Sequence, residues 1–236
     1  MRAIDVERDA VLCLLALESM GVGVTYVTDL TKVAGIMARL GKAIGPAANP
    51  SRLLLTERNC LWAFAHKNGE PLVGFGVRID DLGGEDAQSF LARSVEVIFD
   101  VKVTGAKYDI FSDRRWGKIA YIGDLKSISK FGLSRQGASI IRYLMAYTHY
   151  RLVRDYGVDV NYCFIRASDL RRSEAYGFLD RDPFVWETNS PLYPDGNPAH
   201  VLQMPKEKLC SLMASVSPYF PERFAINQKP IPPISV

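Results

Sequence analysis

The sequence predicts an α/β fold of the α+β kind, a mixed sheet with a helical extension at its N-terminus. Three features carry that expectation. An Asn68-Gly69 pair joins two apolar runs, LWAFA (61–65) and PLVGFGVRI (71–79), the mark of a tight β-hairpin. A long run, KIAYIGDLKSISKF (118–131), reads as a strand and passes straight into a glycine-containing turn and a helix. A further strand-like run, VDVNYCFIR (158–166), rich in β-branched and aromatic residues, follows that helix.

Taken in order, residues 7–20 and 29–44 read as two helices. In the second, Thr28 or Asp29 is placed to cap, and Leu30, Val33, Ala34, Met37 and Leu40 recur at helical spacing. GPAANPS (45–51) breaks the pattern. Both hairpin strands are apolar on two sides, which implies a covered central sheet. DDLGGED (80–86) reads as a loop and SVEVIFDVKV (94–103) as a strand; the remainder up to Gly117 carries no clear pattern. Residues 138–155 are the best helix, with Ile140, Ile141, Leu144, Met145, Thr148 and Leu152 on one face and Gly157 as its stop. A short helix is expected over 168–178, capped by Ser168 or Asp169. Strands at 184–187 and 200–204 and a helix at 205–215 complete the fold. From Ser217 the chain holds five prolines in twenty residues, which suits an extended arm. The expected division is therefore 1–50 helical and packed on the core, 51–216 the main α/β domain, and 217–236 the arm.

Bulk properties narrow the function. The chain has 236 residues, 48% hydrophobic and 23% charged, as expected of a globular protein with a sizeable core. A formal net charge of +3 is too small to argue for nucleic acid or an anionic membrane. Cys13, Cys60, Cys163 and Cys210 are scattered, without CxxC or HxxxH spacing, so neither a disulfide framework nor a metal site is expected; a reducing, cytoplasmic setting suits them. The apolar run Val11–Leu17 follows acidic Asp5, Glu7 and Asp9 and is too short to span a bilayer, so a core helix is expected there.

The turn before the best helix, FGLSRQGAS (131–139), is richer in glycine and donors than a helix start requires. Helix first turns carry unpaired N–H groups and partial positive charge, and glycine lets an anion approach them. Gly132 and Gly137 have P-loop spacing and Ser139 the place of its serine, but Ala138 stands where the phosphate-neutralising lysine belongs, which argues against nucleoside triphosphate hydrolysis. No GxGxxG follows a strand. Gly137 as a mere packing glycine is the competing explanation.

ISKFGLSRQGASIIRYLM resembles the acyl-CoA-binding motif of the GNAT (GCN5-related N-acetyltransferase) superfamily, in which the fourth strand runs into an R/Q-x-x-G-x-G/A turn and a helix. Aligned on Gly137, the chain reads Ser134-Arg135-Gln136-Gly137-Ala138-Ser139, departing at Ser134 and Ser139. The resemblance extends to the hairpin upstream and to NYCFIR-ASDLRRSEAYGF downstream, so residues 60–205 follow the order of elements of that superfamily. The longer segment 80–117 is similar to insertions in the acyl-homoserine-lactone and N-acyl amino acid synthases.

The resemblance implies a cleft where the fourth and fifth strands splay, with acetyl-CoA or another acyl-CoA as co-substrate and no metal. Ile128 and Lys130 would meet the pantetheine arm, the amides of Arg135, Gln136, Gly137, Ala138 and Ser139 the pyrophosphate, and the Arg135 guanidinium would add charge unless it is simply solvated. Direct transfer to a primary amine needs a base, an oxyanion donor and a proton for the thiolate. Asp124, within an apolar strand, is the candidate base; the alternative is that it points to solvent or pairs with Lys126 or an arginine. The family position for the acidic tyrosine falls on Ser173, one helical turn before Tyr176; Tyr162 is a third candidate, and core packing competes for each. His66, His149 and His200 have no nucleophile near them in sequence, and Cys163 reads as buried. Arg166, Arg171, Arg172 and Arg181 are either solvated charge or a patch for an acidic acceptor, the coenzyme 3′-phosphate or nucleic acid.

The expected function is therefore acyl-CoA-dependent N-acyl transfer to a small-molecule or peptidyl amine, with nucleic acid disfavoured, no membrane span, and a homodimer left open. A synthase-like enzyme with a long acyl donor is one alternative, with Trp62, Phe64, Phe99, Phe111 and Trp116 either lining a wide acyl pocket or, equally, packing the core. A non-catalytic coenzyme-sensing or partner-binding module is the other.

Overall fold

The computed structural model describes residues 3–45, 48–49, 53–99, 116–128, 134–166, 169–170, 173–184 and 199–220. Helix α1 (Ala3–Ser19) leads into strand β1 (Gly23–Val27) and helix α2 (Leu30–Arg39), whose first turn is capped by the Asp29 carboxylate accepting from Thr31 N. The hairpin β2 (Cys60–Lys67) and β3 (Glu70–Asp81) turns at Asn68 (φ 53°) and Gly69 (φ 79°), a pair of left-handed residues suited to a two-residue turn. Helix α3 (Ala87–Phe99), strand β4 (Lys118–Ser127), helix α4 (Arg135–Tyr156) and strand β5 (Val160–Arg166) follow. A 3-10 turn (Glu174–Tyr176), strands β6 (Asp180–Phe184) and β7 (Ala199–Pro205) and helix α5 (Leu209–Val216) complete the described elements.

The seven strands form one sheet in the order β1-β2-β3-β4-β5-β7-β6. Every neighbouring pair is antiparallel except β4 and β5. Side-chain alternation splits the core across two faces. On one face Leu61, Ala63, Phe75, Val77, Ala120, Ile122 and Leu202 pack under α1, α4 and α5. On the other, Cys60, Trp62 and Phe64 pack against Val33 and Met37 of α2, while Ile119, Val160, Tyr162 and Val201 pack against Phe90, Leu91, Val95 and Ile98 of α3.

Four expectations change. Residues 94–99 are helical: Phe90, Leu91, Val95 and Ile98 are buried at helical spacing while Val97 is 57% exposed, so the three-to-four-residue period prevails over Val95/Val97 alternation. β1 was not expected; its five residues are only half-buried at a sheet edge and carry little hydrophobic pattern. The described part of 168–178 holds a 3-10 turn, closed by Gly177 at φ 73°, rather than an α-helix. β6 begins at Asp180, before the expected 184, and as an edge strand tolerates Pro183. The expected strand residues 185–187 and the arm from 221 lie outside the described residues.

Candidate active site

β4 and β5 pair only through Ile119–Val160, Ala120–Asn161 and Tyr121–Tyr162. Both strands continue, β4 to Ser127 and β5 to Arg166, without further rungs between them. The divergence opens a cleft of about 110 Å³. One wall is Tyr121 to Leu125 of β4, the other Cys163, Phe164 and Ile165 of β5; Met145, Tyr176 and Phe178 lie behind.

The same stretch of β4 carries a bulge. Opposite β3, Gly76 pairs with Gly123 but Gly74 pairs with Lys126, so Asp124 and Leu125 together face Phe75. Asp124 takes up the extra residue at φ 58°, a conformation in which aspartate is enriched among non-glycine residues. Strict alternation would aim residue 124 at α4, on the face of Ala120 and Ile122. The bulge turns it to the α2 face, where Lys42 Nζ lies 3.0 Å from Oδ1 and Gly45 N donates to Oδ2 at 2.9 Å. The carboxylate, 11% exposed, is thus partnered by Lys42, and among the described residues neither Lys126 nor an arginine is its ion-pair partner. Gly45 leaves room for this carboxylate: a Cβ there would stand 2.2 Å from Asp124 Oδ1, so one of the two would have to shift.

Tyr176 reaches the cleft, and its backbone carbonyl is held by His149 Nε2 at 3.0 Å, which fixes the 3-10 turn to α4. His149 is fully buried, and that burial lowers its pKa to about 4, so the ring is neutral and Nε2 carries the proton donated to the carbonyl. Ser173 is buried in the same turn, its carbonyl accepting from Tyr176 N (3.0 Å), and is not part of the cleft wall. Tyr162 is buried beneath and accepts from Arg78 Nη2 at 3.3 Å, within a group completed by the Arg78–Asp80 pair at 2.8 Å.

Tyr121 was not singled out in the sequence. Its ring lies over Gly123, 5.5 Å from the Tyr162 ring and 5.9 Å from that of Phe164. Burial, reinforced by the Asp124 carboxylate, pushes its phenol well above the ordinary tyrosine value, so it stays a proton donor at neutral pH. The available signal was its place three residues before Asp124 with a glycine between them. Cys163 is also in the wall, with burial pushing its thiol up, away from thiolate reactivity.

Beyond β4, Ser134 caps α4: its Oγ accepts from Gly137 N at 3.0 Å, and Ala138 N bonds Ser134 O at 3.0 Å. Of the five amides expected to meet a pyrophosphate, those of Gly137 and Ala138 therefore have partners within the chain, and Ser139 N falls inside the helical ladder. Arg135 and Gln136, both exposed, precede the first helical bond. Ile128 follows β4 and donates its N–H to Leu72 O at 3.0 Å; Lys130 lies outside the described residues.

Of the aromatics considered for an acyl pocket, those described lie in the core. Trp62 and Phe64 stack 6.2 Å apart in the core under α2, and Trp116 packs under α3. The Phe99 side chain and Phe111 lie outside the described residues, as do Arg171 and Arg172; Arg166 and Arg181 are exposed. His66 lies over Gly23 of the edge strand β1, and His200 sits on β7. Among the described residues no group of three His, Cys, Asp or Glu side chains is placed to hold a metal, and no helix is long and apolar enough to cross a membrane.

No family model and no curated protein matches the chain. Among solved structures it is similar to FeeM, an N-acyl amino acid synthase from uncultured soil microbes, at 11% identity over 81% of this chain and 94% of that one, with a TM-score of 0.46. It is also similar to the aminoglycoside acetyltransferase AAC(6′)-Ib in complex with coenzyme A and kanamycin, at 14% identity over 80% and 98%, with a TM-score of 0.48. A third is Arabidopsis thaliana NAA60 in complex with acetyl-CoA, at 13% identity over 79% and 99%, with a TM-score of 0.44.

Proposed function

We propose that this chain is a GNAT-type N-acyltransferase that moves a short acyl group, acetyl in the first instance, from coenzyme A to a primary amine. The observation that carries the reading is the parting of β4 from β5 at a bulge that brings a carboxylate to the cleft, on the strand that leads to the first turn of α4. Beyond Tyr121 the sides of the two strands that face each other lack strand partners among the described residues, so an extended pantetheine arm has backbone groups to pair with. Its pyrophosphate would lie at the first turn of α4, on the amides of Arg135 and Gln136, gaining those of Gly137 and Ala138 only by displacing their present partners. In the cleft, Asp124 takes the proton from the attacking amine. Tyr121 and Tyr176, both in the cleft wall, would donate to the oxyanion or the departing thiolate.

The size of the cleft favours a short donor. About 110 Å³ is well below the roughly 300–1,000 Å³ of pockets that enclose drug-sized ligands. Thermal shift against acetyl-CoA, octanoyl-CoA and acyl-carrier protein tests this. A ligand at a hundredfold excess over its Kd adds about 2.7 kcal/mol, a shift of roughly 5–10 °C for a chain of this length. Acetyl-CoA is expected to give the largest shift, and no shift with any donor would overturn the reading.

One observation favours a second reading, a coenzyme-binding module without turnover: Lys42 already occupies Asp124. Coenzyme A thiol release, followed with a panel of amines, separates the two. Donor stabilisation without release across the panel would favour the module.

A further inference from the structure

Asp124 has a primary amine beside it before any substrate arrives. Helix α2 ends at Arg39; Gly41 reverses the chain at φ 73°, and Lys42 N closes onto Met37 O at 3.1 Å. That closure turns the Lys42 side chain toward the bulge, where Nζ lies 3.0 Å from Asp124 Oδ1. The lysine side chain is 31% exposed and the carboxylate 11%, so the pair is sheltered from solvent, and Asp124 itself lines the cleft. Asp124 Oδ2 is meanwhile fixed by Gly45 N, which orients Oδ1 toward the amine. The arrangement is that of an acceptor nitrogen against its base.

We propose that Lys42 is an internal acyl acceptor, modified by the chain's own transfer chemistry. The inference rests on the acyltransferase reading above. The Lys42 ammonium passes a proton to Asp124 Oδ1, and the neutral nitrogen attacks the thioester carbonyl carbon. The N–C bond forms as the C–S bond breaks, the sulfur leaves as the thiol after taking a proton, and one proton in total is released to solvent. The product is a neutral amide that can no longer ion-pair with Asp124, so the reaction stops at one acyl group per chain and leaves the carboxylate free for an external amine.

Lys32 is an internal control. It also pairs with an aspartate, Asp29 at 3.3 Å, but its side chain is 73% exposed at the start of α2, away from the cleft.

The full chain is incubated with acetyl-CoA and no added acceptor, and the product is read by intact mass and peptide mapping. One acetyl group per chain is expected, on Lys42. It is absent in Lys42→Arg and slowed on the order of 100-fold in Asp124→Asn, as for loss of a general base. Labelling of Lys32 should be unaffected by either change. Gly45→Ala, which moves the Asp124 carboxylate without removing it, is expected to slow Lys42 labelling too, and serves if Asp124→Asn does not fold. A parallel arm uses S-acetyl-N-acetylcysteamine, a thioester without nucleotide or pyrophosphate. Labelling of Lys42 by this donor but not by acetyl-CoA supports the Lys42 site and overturns the coenzyme reading. No Lys42 labelling by either donor, or labelling that matches Lys32 and ignores Asp124→Asn, overturns the proposal.

Discussion

Asp124 and His149 show how single side chains are held for a task. Asp124 stands in a left-handed conformation that costs on the order of 1–3 kcal/mol, sustained by its contacts with Lys42 and Gly45. Asp124→Asn keeps those contacts in part but removes the proposed base, so turnover should fall by on the order of 100-fold with donor Kd unchanged, as measured by steady-state kinetics beside calorimetry. Gly45→Ala should do the same at a distance, because its new Cβ claims the space of Oδ1; full activity in that variant would show that Asp124 has room to move. His149 makes a pH prediction. Its folded value of about 4 lies below its ordinary 6.5, so the unfolded chain binds the proton first. Its contribution is complete above about pH 6.5 and is lost as pH falls toward 4, by up to about 3 kcal/mol. Denaturant titrations across that window should show the loss, and His149→Gln should flatten it. The chemistry of these residues was only partly legible. That Asp124 interrupts an apolar strand could be read directly, but not its orientation, since the bulge reverses what alternation predicts. Tyr121 was passed over because a tyrosine in a strand is ordinary, and only its packing over Gly123 places it in the cleft.

Elements with strong local grammar were legible, and those decided by long-range packing were not. The Asn68-Gly69 hairpin and α4, closed by Gly157 at φ 67°, follow from turn and cap chemistry. β1 exists because β2 offers it an edge, a fact about residues some forty positions away. α3 was misread because residues 94–99 satisfy both periods locally, and only the surface it covers on β4, β5 and β7 decides between them. The start of α4 makes its own prediction. The Ser134 cap should contribute about 1 kcal/mol, so Ser134→Ala is expected to lower stability by that amount in chemical denaturation. The same change frees Gly137 N. If the pyrophosphate competes with the cap, donor affinity should hold or rise while stability falls; a loss of affinity would assign the hydroxyl itself to donor binding.

For the molecule entire, the partition of the sheet matters most. Strands β1 to β4 form one antiparallel body and β5, β7 and β6 another, and three parallel rungs are the only sheet pairing between them among the described residues. Residues of α1, α4 and α5 share one apolar cluster that spans both bodies. Hydrogen exchange should therefore be faster beyond Tyr121 on β4 and beyond Tyr162 on β5 than in the β2–β3 ladder, and a bound donor should slow exchange there more than elsewhere. Uniform slowing would mean that the donor acts on global stability alone. The three-rung join also works as an unfinished zipper. An extended molecule laid between the two bodies supplies the teeth that the chain lacks, so cargo would complete the sheet and stiffen it, and discharge of the cargo would slacken the join and ease its own exit.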